Sequence, residues 1–175
     1  HEKNQVRDLA MMQLMLGTGI RVSECVGLNC SDVDFQNNAI RIHRKGGKEV
    51  SIYFSDEVEQ GLRAYMEERK GKIPASGHEN ALFLSLQNKR MSVRTVELMV
   101  KKYAQKVTPL KHITPHKLRS SYGTNLYQET GDIYLVADVL GHSDVNTTKK
   151  HYAALEEERR RSVRNLVRLR KEEGE

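Results

Sequence analysis

The segment Gly17–Glu24 reads GTGIRVSE and breaks an apolar helical pattern with two glycines and a pair of opposite charges. The preceding QVRDLAMMQLML has the apolar spacing of a buried helix, which Gly17 and Gly19 end. Arg21 follows among apolar neighbours, where an arginine is costly to bury unless it is paired or faces a ligand. Two explanations are open: an ion pair with Glu24 three residues later, or a site that binds an anion through the guanidinium.

The composition is that of one soluble domain with a basic surface. The chain has 175 residues, of which 38% are hydrophobic and 30% charged, and its formal net charge is +6. A basic balance favours a polyanionic partner, although many basic proteins bind no nucleic acid. Two cysteines without a CxxC pair indicate neither a zinc site nor a disulfide framework. No long apolar run or signal-peptide pattern appears, so we expect a cytoplasmic protein with no membrane partner.

The patterns around the opening segment predict a mainly helical α+β protein with one small antiparallel sheet. AIRIHRK (39–45) and KEVSIYF (48–54) alternate as strands, joined by a two-residue turn at Gly46 and Gly47. ALFLS (81–85) predicts a further short strand. Capping residues and helical spacing predict helices over residues 5–16, 22–28, 56–70, 93–107, 115–130 and 133–140, and a charged tail helix over 155–173.

Several polar residues are unexpected at their positions in the predicted helices and hairpin, and each has an ordinary explanation. His116 and Arg119 share one helical face near a helix N-terminus, where a surface pair is the simpler reading. Lys45 lies at a hairpin tip, as a solvated basic turn would. His142 follows a helix-ending glycine and suits a cap, whereas Tyr152 suits a half-buried aromatic residue that packs the last helix. Each signal is weak on its own.

Taken together and in order, these residues resemble the catalytic domain of the tyrosine recombinases. That family includes phage and transposon integrases and the Xer enzymes that resolve chromosome dimers. The surrounding words GTGIRVSECVGL, TPHKLRSSYGTNL and VLGHSDVNTTKKHYA also read as family signatures, and an ordered match of this kind is unlikely by chance. The matched positions are Arg21 and Glu24 (R-x-x-E), Lys45, His116 and Arg119 (H-x-x-R), His142 (LGH) and Tyr152.

The resemblance implies the fold of the DNA breaking-rejoining enzymes, with residues 1–175 forming a catalytic domain. The usual N-terminal DNA-clamping (core-binding) domain is expected to be absent from this chain. The tail, residues 155–175, is expected to pack in cis or to be exchanged between subunits of a tetramer on DNA. The expected partner is double-stranded DNA carrying specific recombination sites.

The resemblance also implies a role for each residue that faces the phosphate. A phosphodiester needs its developing charge neutralised, and two guanidiniums do this well because each is planar and always charged. Arg21 and Arg119 would therefore form an arginine clamp. His142 would donate a hydrogen bond to the phosphate, and Glu24 would orient the site from behind.

Tyr152 would be the nucleophile and would form a covalent 3′-phosphotyrosyl link. A phenol needs help to lose its proton near neutral pH, and His116 is the expected acceptor. Lys45 would be the general acid that protonates the leaving 5′-oxygen. We expect no cofactor and no metal, since the chain offers no carboxylate cluster to hold one.

Basic residues outside this set would supply phosphate contacts that do not depend on sequence. Two other functions are open besides site-specific recombination. One is a type IB topoisomerase, which uses a similar set of residues as a monomer, and the other is a DNA-binding module that has lost catalysis. The expected phosphate contacts are Lys48, Arg90, Arg94 and Lys117.

Overall fold

The structure, a computed structural model, describes residues 4–107, 111–167 and 169. They fall into two units that divide the chain after Gly123. In the first unit lie α1 (Gln5–Thr18), α2 (Val22–Gly27), a 3-10 turn (Cys30–Asp32), β1 (Val33–Asp34), β2 (Ala39–Arg44), β3 (Lys48–Tyr53), α3 (Asp56–Lys70), α4 (Val93–Val107) and the start of α5 (Pro115–Thr130). The second unit contains the end of α5 with α6 (Ile133–Leu140), α7 (Val145–His151) and α8 (Ala153–Ser162). The mainly helical α+β prediction is confirmed.

The sheet is antiparallel in the order β1-β2-β3. Its register pairs Ile40 with Ile52 and, further along, Arg44 with Lys48. The hairpin therefore closes through three residues, 45–47, and the predicted two-residue turn is wrong. The register explains the difference, because the buried isoleucines must share one face and this leaves three residues beyond the last pair.

Helices α1 and α3 pack closely in the first unit because glycines lie where they meet. A Cβ atom on Gly17 would lie 2.9 Å from Cγ2 of Val58, which is too close for an ordinary contact. A Cβ on Gly61 would overlap the side chain of Gln13. The two helices bury Leu14 and Leu62 completely.

Residues 81–84 are buried but do not form the predicted strand. They form isolated bridges at Ala81 with Asn29 and at Leu84 with Arg90, and other backbone groups bond to side chains of α3. The hydroxyl of Tyr65 donates to the carbonyl of Leu82 at 2.9 Å and accepts from the N–H of Leu84 at 3.0 Å. Arg69 also donates to Leu82 through Nε, at 3.1 Å. Backbone groups satisfied in this way need no strand partner.

In the second unit, aspartates cap two helices. Asp132 accepts from two N–H groups at the start of α6, as its sequence position predicts. Asp144 accepts from Asn146 at 2.9 Å and starts α7, which the sequence patterns did not predict because VNTTKKH is short and mostly polar. The tail helix prediction is wrong in length: α8 ends at Ser162, and turns follow to residue 167. Residues 168 and 170–175 of the predicted tail lie outside the described residues.

Within the described ranges, no helix combines the length and apolar character needed to cross a bilayer.

Candidate active site

The turn that carries Arg21 is fixed by a glycine before it and a carboxylate after it. Gly19 ends α1 with a φ of 71°, and its N–H donates to the carbonyl of Met15 at 3.1 Å. The backbone N–H of Arg21 then donates to Oε1 of Glu24 at 2.8 Å, which starts α2. The Glu24 side chain is only 6% exposed, whereas that of Arg21 is 43% exposed. The turn therefore holds the Arg21 backbone and leaves its guanidinium accessible.

Glu24 contacts the Arg21 guanidinium as well, but its better partner is a second arginine. Nη1 of Arg21 lies 3.5 Å from Oε2 of Glu24, whereas Nε of Arg44 lies 3.2 Å from the same oxygen. The Arg44 side chain is 8% exposed. Glu24 therefore forms the predicted i+3 ion pair with Arg21. That pair is longer and more exposed than the ion pair of Glu24 with Arg44.

Arg44 was missed by the sequence analysis, although a signal for it exists. In β2, Ile40 and Ile42 are buried, and strand periodicity places Arg44 on the same face. A charged residue at a core-facing strand position requires a partner. The partner, Glu24, lies 20 residues earlier and could not be identified from spacing.

Lys45 is exposed at the first position of the hairpin loop. Gly46 and Gly47 complete the loop with φ values of 85° and 75°. On the adjoining strands, His43 lies with Nδ1 3.3 Å from Oε1 of Glu49 and with Nε2 3.4 Å from Oδ1 of Asp32. The lysine is thus presented on a short loop whose strands are tied by polar pairs.

Arg119 lies beside the turn that carries Arg21. Its side chain reaches from α5 and donates through Nη1 to the carbonyl of Gly19. The residue is 7% exposed, so its guanidinium is held among neighbours rather than solvated. His116 lies one turn earlier on α5 and is exposed. The first unit therefore brings Arg119 to the backbone two residues before Arg21.

In the second unit, one threonine contacts both candidate residues. The hydroxyl of Thr148 is hydrogen-bonded to Nδ1 of His142, and its carbonyl accepts from the backbone N–H of Tyr152 at 3.0 Å. Thr148 is fully buried. This hydrogen bond fixes the orientation of the His142 ring. Sequence analysis missed Thr148, because a lone threonine in TTKK has no distinguishing spacing.

Tyr152 lies at the junction of α7 and α8, with backbone dihedrals outside the helical region. It is 3% exposed, so it is more buried than the simpler explanation, a half-buried packing residue, predicted. Its ring stacks on Tyr127 with centroids 6.2 Å apart, and the ring of His151 meets it edge-on at 4.9 Å. The Tyr152 ring is therefore packed against two aromatic neighbours, Tyr127 and His151.

The four residues expected to contact phosphate differ in environment. Lys48, Arg94 and Lys117 are exposed and compatible with such contacts, which remain predictions. Arg90 is different, because Nη1 donates to the carbonyls of Val26 and Leu28 at 2.8 and 2.9 Å. Its other terminal nitrogen donates to the side chain of Asn29. This geometry gives the Arg90 guanidinium a structural role at the end of α2, and its contact with phosphate also remains a prediction.

The mainly helical fold with a small antiparallel sheet is that of a known protein family. The model of the Phage integrase family matches residues 1–159, so the chain belongs to this family, that of the tyrosine recombinases. A relative, the tyrosine recombinase XerC of Actinobacillus pleuropneumoniae, is 36% identical over 149 residues. That match covers 85% of this chain and 48% of the relative. The chain thus spans about half the length of the curated relatives it matches.

Solved structures agree with this assignment. The XerA recombinase is similar over 91% of this chain and 59% of its own, with a TM-score of 0.80 and 29% identity. The Tn1549 transposon integrase, solved in complex with circular intermediate DNA, matches over 86% of this chain and 55% of its own. Its TM-score is 0.68 and its identity 27%. The predictions of family and fold are confirmed.

Proposed function

We propose that this protein is a site-specific DNA recombinase that cuts and rejoins strands through a covalent 3′-phosphotyrosyl intermediate, without metal or ATP. The observation that carries the proposal is the pair of arginines at one turn. Arg119 is buried and hydrogen-bonded to Gly19, two residues before Arg21, whose own guanidinium is accessible. A guanidinium that is already oriented stabilises charge in a transition state without a reorganisation cost.

In this proposal, the arginines bind the non-bridging oxygens of the scissile phosphate. Each planar guanidinium donates two parallel hydrogen bonds, and these strengthen as charge moves onto the oxygens in the transition state. His142 adds a hydrogen bond to the phosphate, and the hydroxyl of Thr148 orients its ring through Nδ1. These three residues supply binding and charge stabilisation, and no proton moves through them.

Tyr152 supplies the nucleophile. Its phenolic oxygen forms a bond to phosphorus while the bond from phosphorus to the 5′-oxygen breaks. The phenol proton passes to His116, and Lys45 gives a proton to the departing 5′-oxygen. Rejoining runs the same steps in reverse with a 5′-hydroxyl of another strand. The phosphotyrosyl bond retains the energy of the broken link, so no ATP is consumed.

The tail and the relatives favour recombination over the relaxation of supercoils. A type IB topoisomerase acts as a monomer, whereas the exposed apolar residues after α8 suit contact with a second subunit. These residues are Val163, Leu166, Val167 and Leu169. An idle DNA-binding module is disfavoured, because a module that only binds DNA needs no nucleophile such as Tyr152. In our proposal, residues 1–175 form the catalytic domain and the tail joins subunits of a tetramer on two DNA sites in the bacterial cytoplasm.

Covalent trapping tests the chemistry. The chain is incubated with a pool of short nicked duplexes of randomised sequence, and DNA that stays on the protein in SDS is isolated and sequenced. Wild-type protein is expected to retain DNA, and Tyr152→Phe to retain none while still binding duplex weakly. Tyr134→Phe removes an exposed hydroxyl from the same unit and should retain DNA as the wild type does. Equal retention by Tyr152→Phe would refute the nucleophile assignment.

Truncation tests the assembly. A chain that ends at Ser162 keeps α8 and loses residues 163–175. We expect it to melt at the wild-type temperature and to form single-site complexes, but to fail to join two sites in sedimentation velocity. Wild-type two-site complexes from the truncated chain would exclude the tail as the link between subunits.

A further inference from the structure

The hairpin loop has little to hold Lys45 in place. Lys45 is exposed, and a Cβ atom added to Gly46 or Gly47 would meet nothing within 4 Å. A lysine has four rotatable bonds, and glycines add backbone freedom. The position of Lys45 therefore depends on the residues that flank the loop, Arg44 and Lys48.

Of these two, Arg44 is the anchored one. Lys48 is exposed, whereas the Arg44 side chain is 8% exposed and its Nε lies 3.2 Å from Oε2 of Glu24. Both partners of this pair are buried, so solvent screens their attraction little. Arg44 is the last residue of β2, and Lys45 follows it directly in the loop. An anchor on Arg44 thus fixes the backbone from which Lys45 projects.

The same carboxylate holds a second catalytic candidate. Oε1 of Glu24 accepts from the backbone N–H of Arg21 at 2.8 Å, while Oε2 accepts from Arg44. One side chain therefore connects the turn before α2 with the end of β2. A displacement of either segment is transmitted to the other through this carboxylate.

We propose that Arg44 is a positioning residue, whose ion pair with Glu24 ties the Lys45 hairpin to the Arg21 turn and sets the reach of the general acid. This inference rests on the proposed function only for the role of Lys45. Its structural part, that Arg44 anchors the hairpin, stands on the geometry alone. An error of about 1 Å in the placement of a catalytic group costs on the order of 10²-fold in rate.

The leaving group provides the test. Cleavage rates are compared on the duplex selected by covalent trapping and on the same duplex with sulfur in place of the bridging 5′-oxygen. A thiolate leaves without a proton, because a thiol is a far stronger acid than an alcohol; the cysteine thiol, for comparison, has a pKa of about 8.5. Arg44→Met should slow cleavage of the oxygen substrate about 10²-fold. On the sulfur substrate, the cleavage rate of Arg44→Met should lie within about threefold of the wild-type rate, because the general acid is no longer needed.

A matched control removes a different arginine–glutamate pair from the first unit. Arg63 lies 3.4 Å from Glu59 on α3, and Arg63→Met should leave both rates unchanged. Arg44→Lys keeps the charge but loses Nε, and it serves if Arg44→Met does not fold. Equal slowing on the oxygen and sulfur substrates would overturn the positioning role, because a general defect in folding or binding affects both substrates alike.

Hydrogen exchange separates this inference from the proposed function. In Arg44→Met, amides of residues 44–48 should exchange at least tenfold faster than in the wild type, while those of α1 keep their protection. Unchanged exchange in the hairpin would refute the anchor whatever the chemistry. If the wild type forms no covalent adduct on either substrate, the proposed function fails, and the exchange experiment still decides whether Arg44 holds the hairpin.

Discussion

Replacing Gly19 by alanine should damage both stability and catalysis, and the two costs can be estimated from the structure. Gly19 has a φ of 71°, a region that costs a residue with a Cβ about 1–2 kcal/mol. The new Cβ would also overlap the ring of Tyr122, with Cε1 and Cγ both at 3.0 Å. Forcing a packed ring aside costs about 1–3 kcal/mol. The sum is about 2–5 kcal/mol, against a typical total stability of about 5–15 kcal/mol.

Two other glycines separate these terms. Gly47 has a φ of 75° and nothing within 4 Å of its Cβ position, so Gly47→Ala should show the backbone cost alone. Gly27 has nothing within 4 Å and no positive φ, so Gly27→Ala should change stability by less than about 1 kcal/mol. The free energies of unfolding are measured by urea denaturation of the three variants and the wild type.

The activity of Gly19→Ala provides the second readout. The Gly19 carbonyl accepts from Arg119, so a shifted turn misplaces the guanidinium. We expect covalent cleavage to slow by about 10²-fold at a temperature where the variant is folded. A loss of stability no larger than that of Gly47→Ala would refute the close approach of Tyr122. Wild-type cleavage by a destabilised Gly19→Ala would refute the link between this carbonyl and the arginine.

Burial and pairing lead to four further predictions. Arg21→Ala should slow cleavage by at least about 10²-fold and cost less than about 1 kcal/mol of stability, because its pair with Glu24 is long and partly exposed. Arg119→Ala should slow cleavage as much but also cost about 1–3 kcal/mol of stability, since it leaves the Gly19 carbonyl without its donor. Single-turnover rates measure cleavage and urea denaturation measures stability. Equal stability losses in the two arginine variants would contradict the expected difference. Glu24→Gln should cost about 2 kcal/mol, because charged hydrogen bonds to Arg21 and a second arginine become neutral; a wild-type unfolding midpoint would contradict it. Burial raises the pKa of the Cys25 thiol to about 12, so at pH 8 a thiol reagent should label Cys30 alone in the folded protein and both residues in urea; rapid native labelling of Cys25, located by peptide mass, would disprove its burial.

Local signals predicted those parts of the fold that local interactions stabilise. Ser55 accepts from the N–H of Val58 at 3.4 Å and starts α3, and Ser92 accepts from Thr95 at 3.1 Å at the start of α4. Such caps join residues three apart, so the sequence displays them directly. Residues 81–84 could not be assigned in this way, because their partners are distant: Tyr65, which bonds to Leu82 and Leu84, belongs to a helix that begins 25 residues earlier in the chain.

The candidate site shows the same division. The residues named by the family resemblance stand in order along the chain, and the roles given to them remain predictions for the experiments above. Arg44 and Thr148 carry no motif, and only the folded chain reveals their contacts with Glu24 and His142. The structural hydrogen bonds of Arg90 could not be predicted either, because a basic residue in a loop looks solvated until its backbone acceptors are known.

Because Thr148 contacts both His142 and Tyr152, the number of residues between these two positions is fixed. The threonine side chain holds a residue six positions earlier, and its carbonyl holds the amide four positions later. One inserted residue in between would rotate everything beyond it by about 100° around the helix. Variation in chain length among natural or engineered versions of this domain should therefore be absent between His142 and Tyr152.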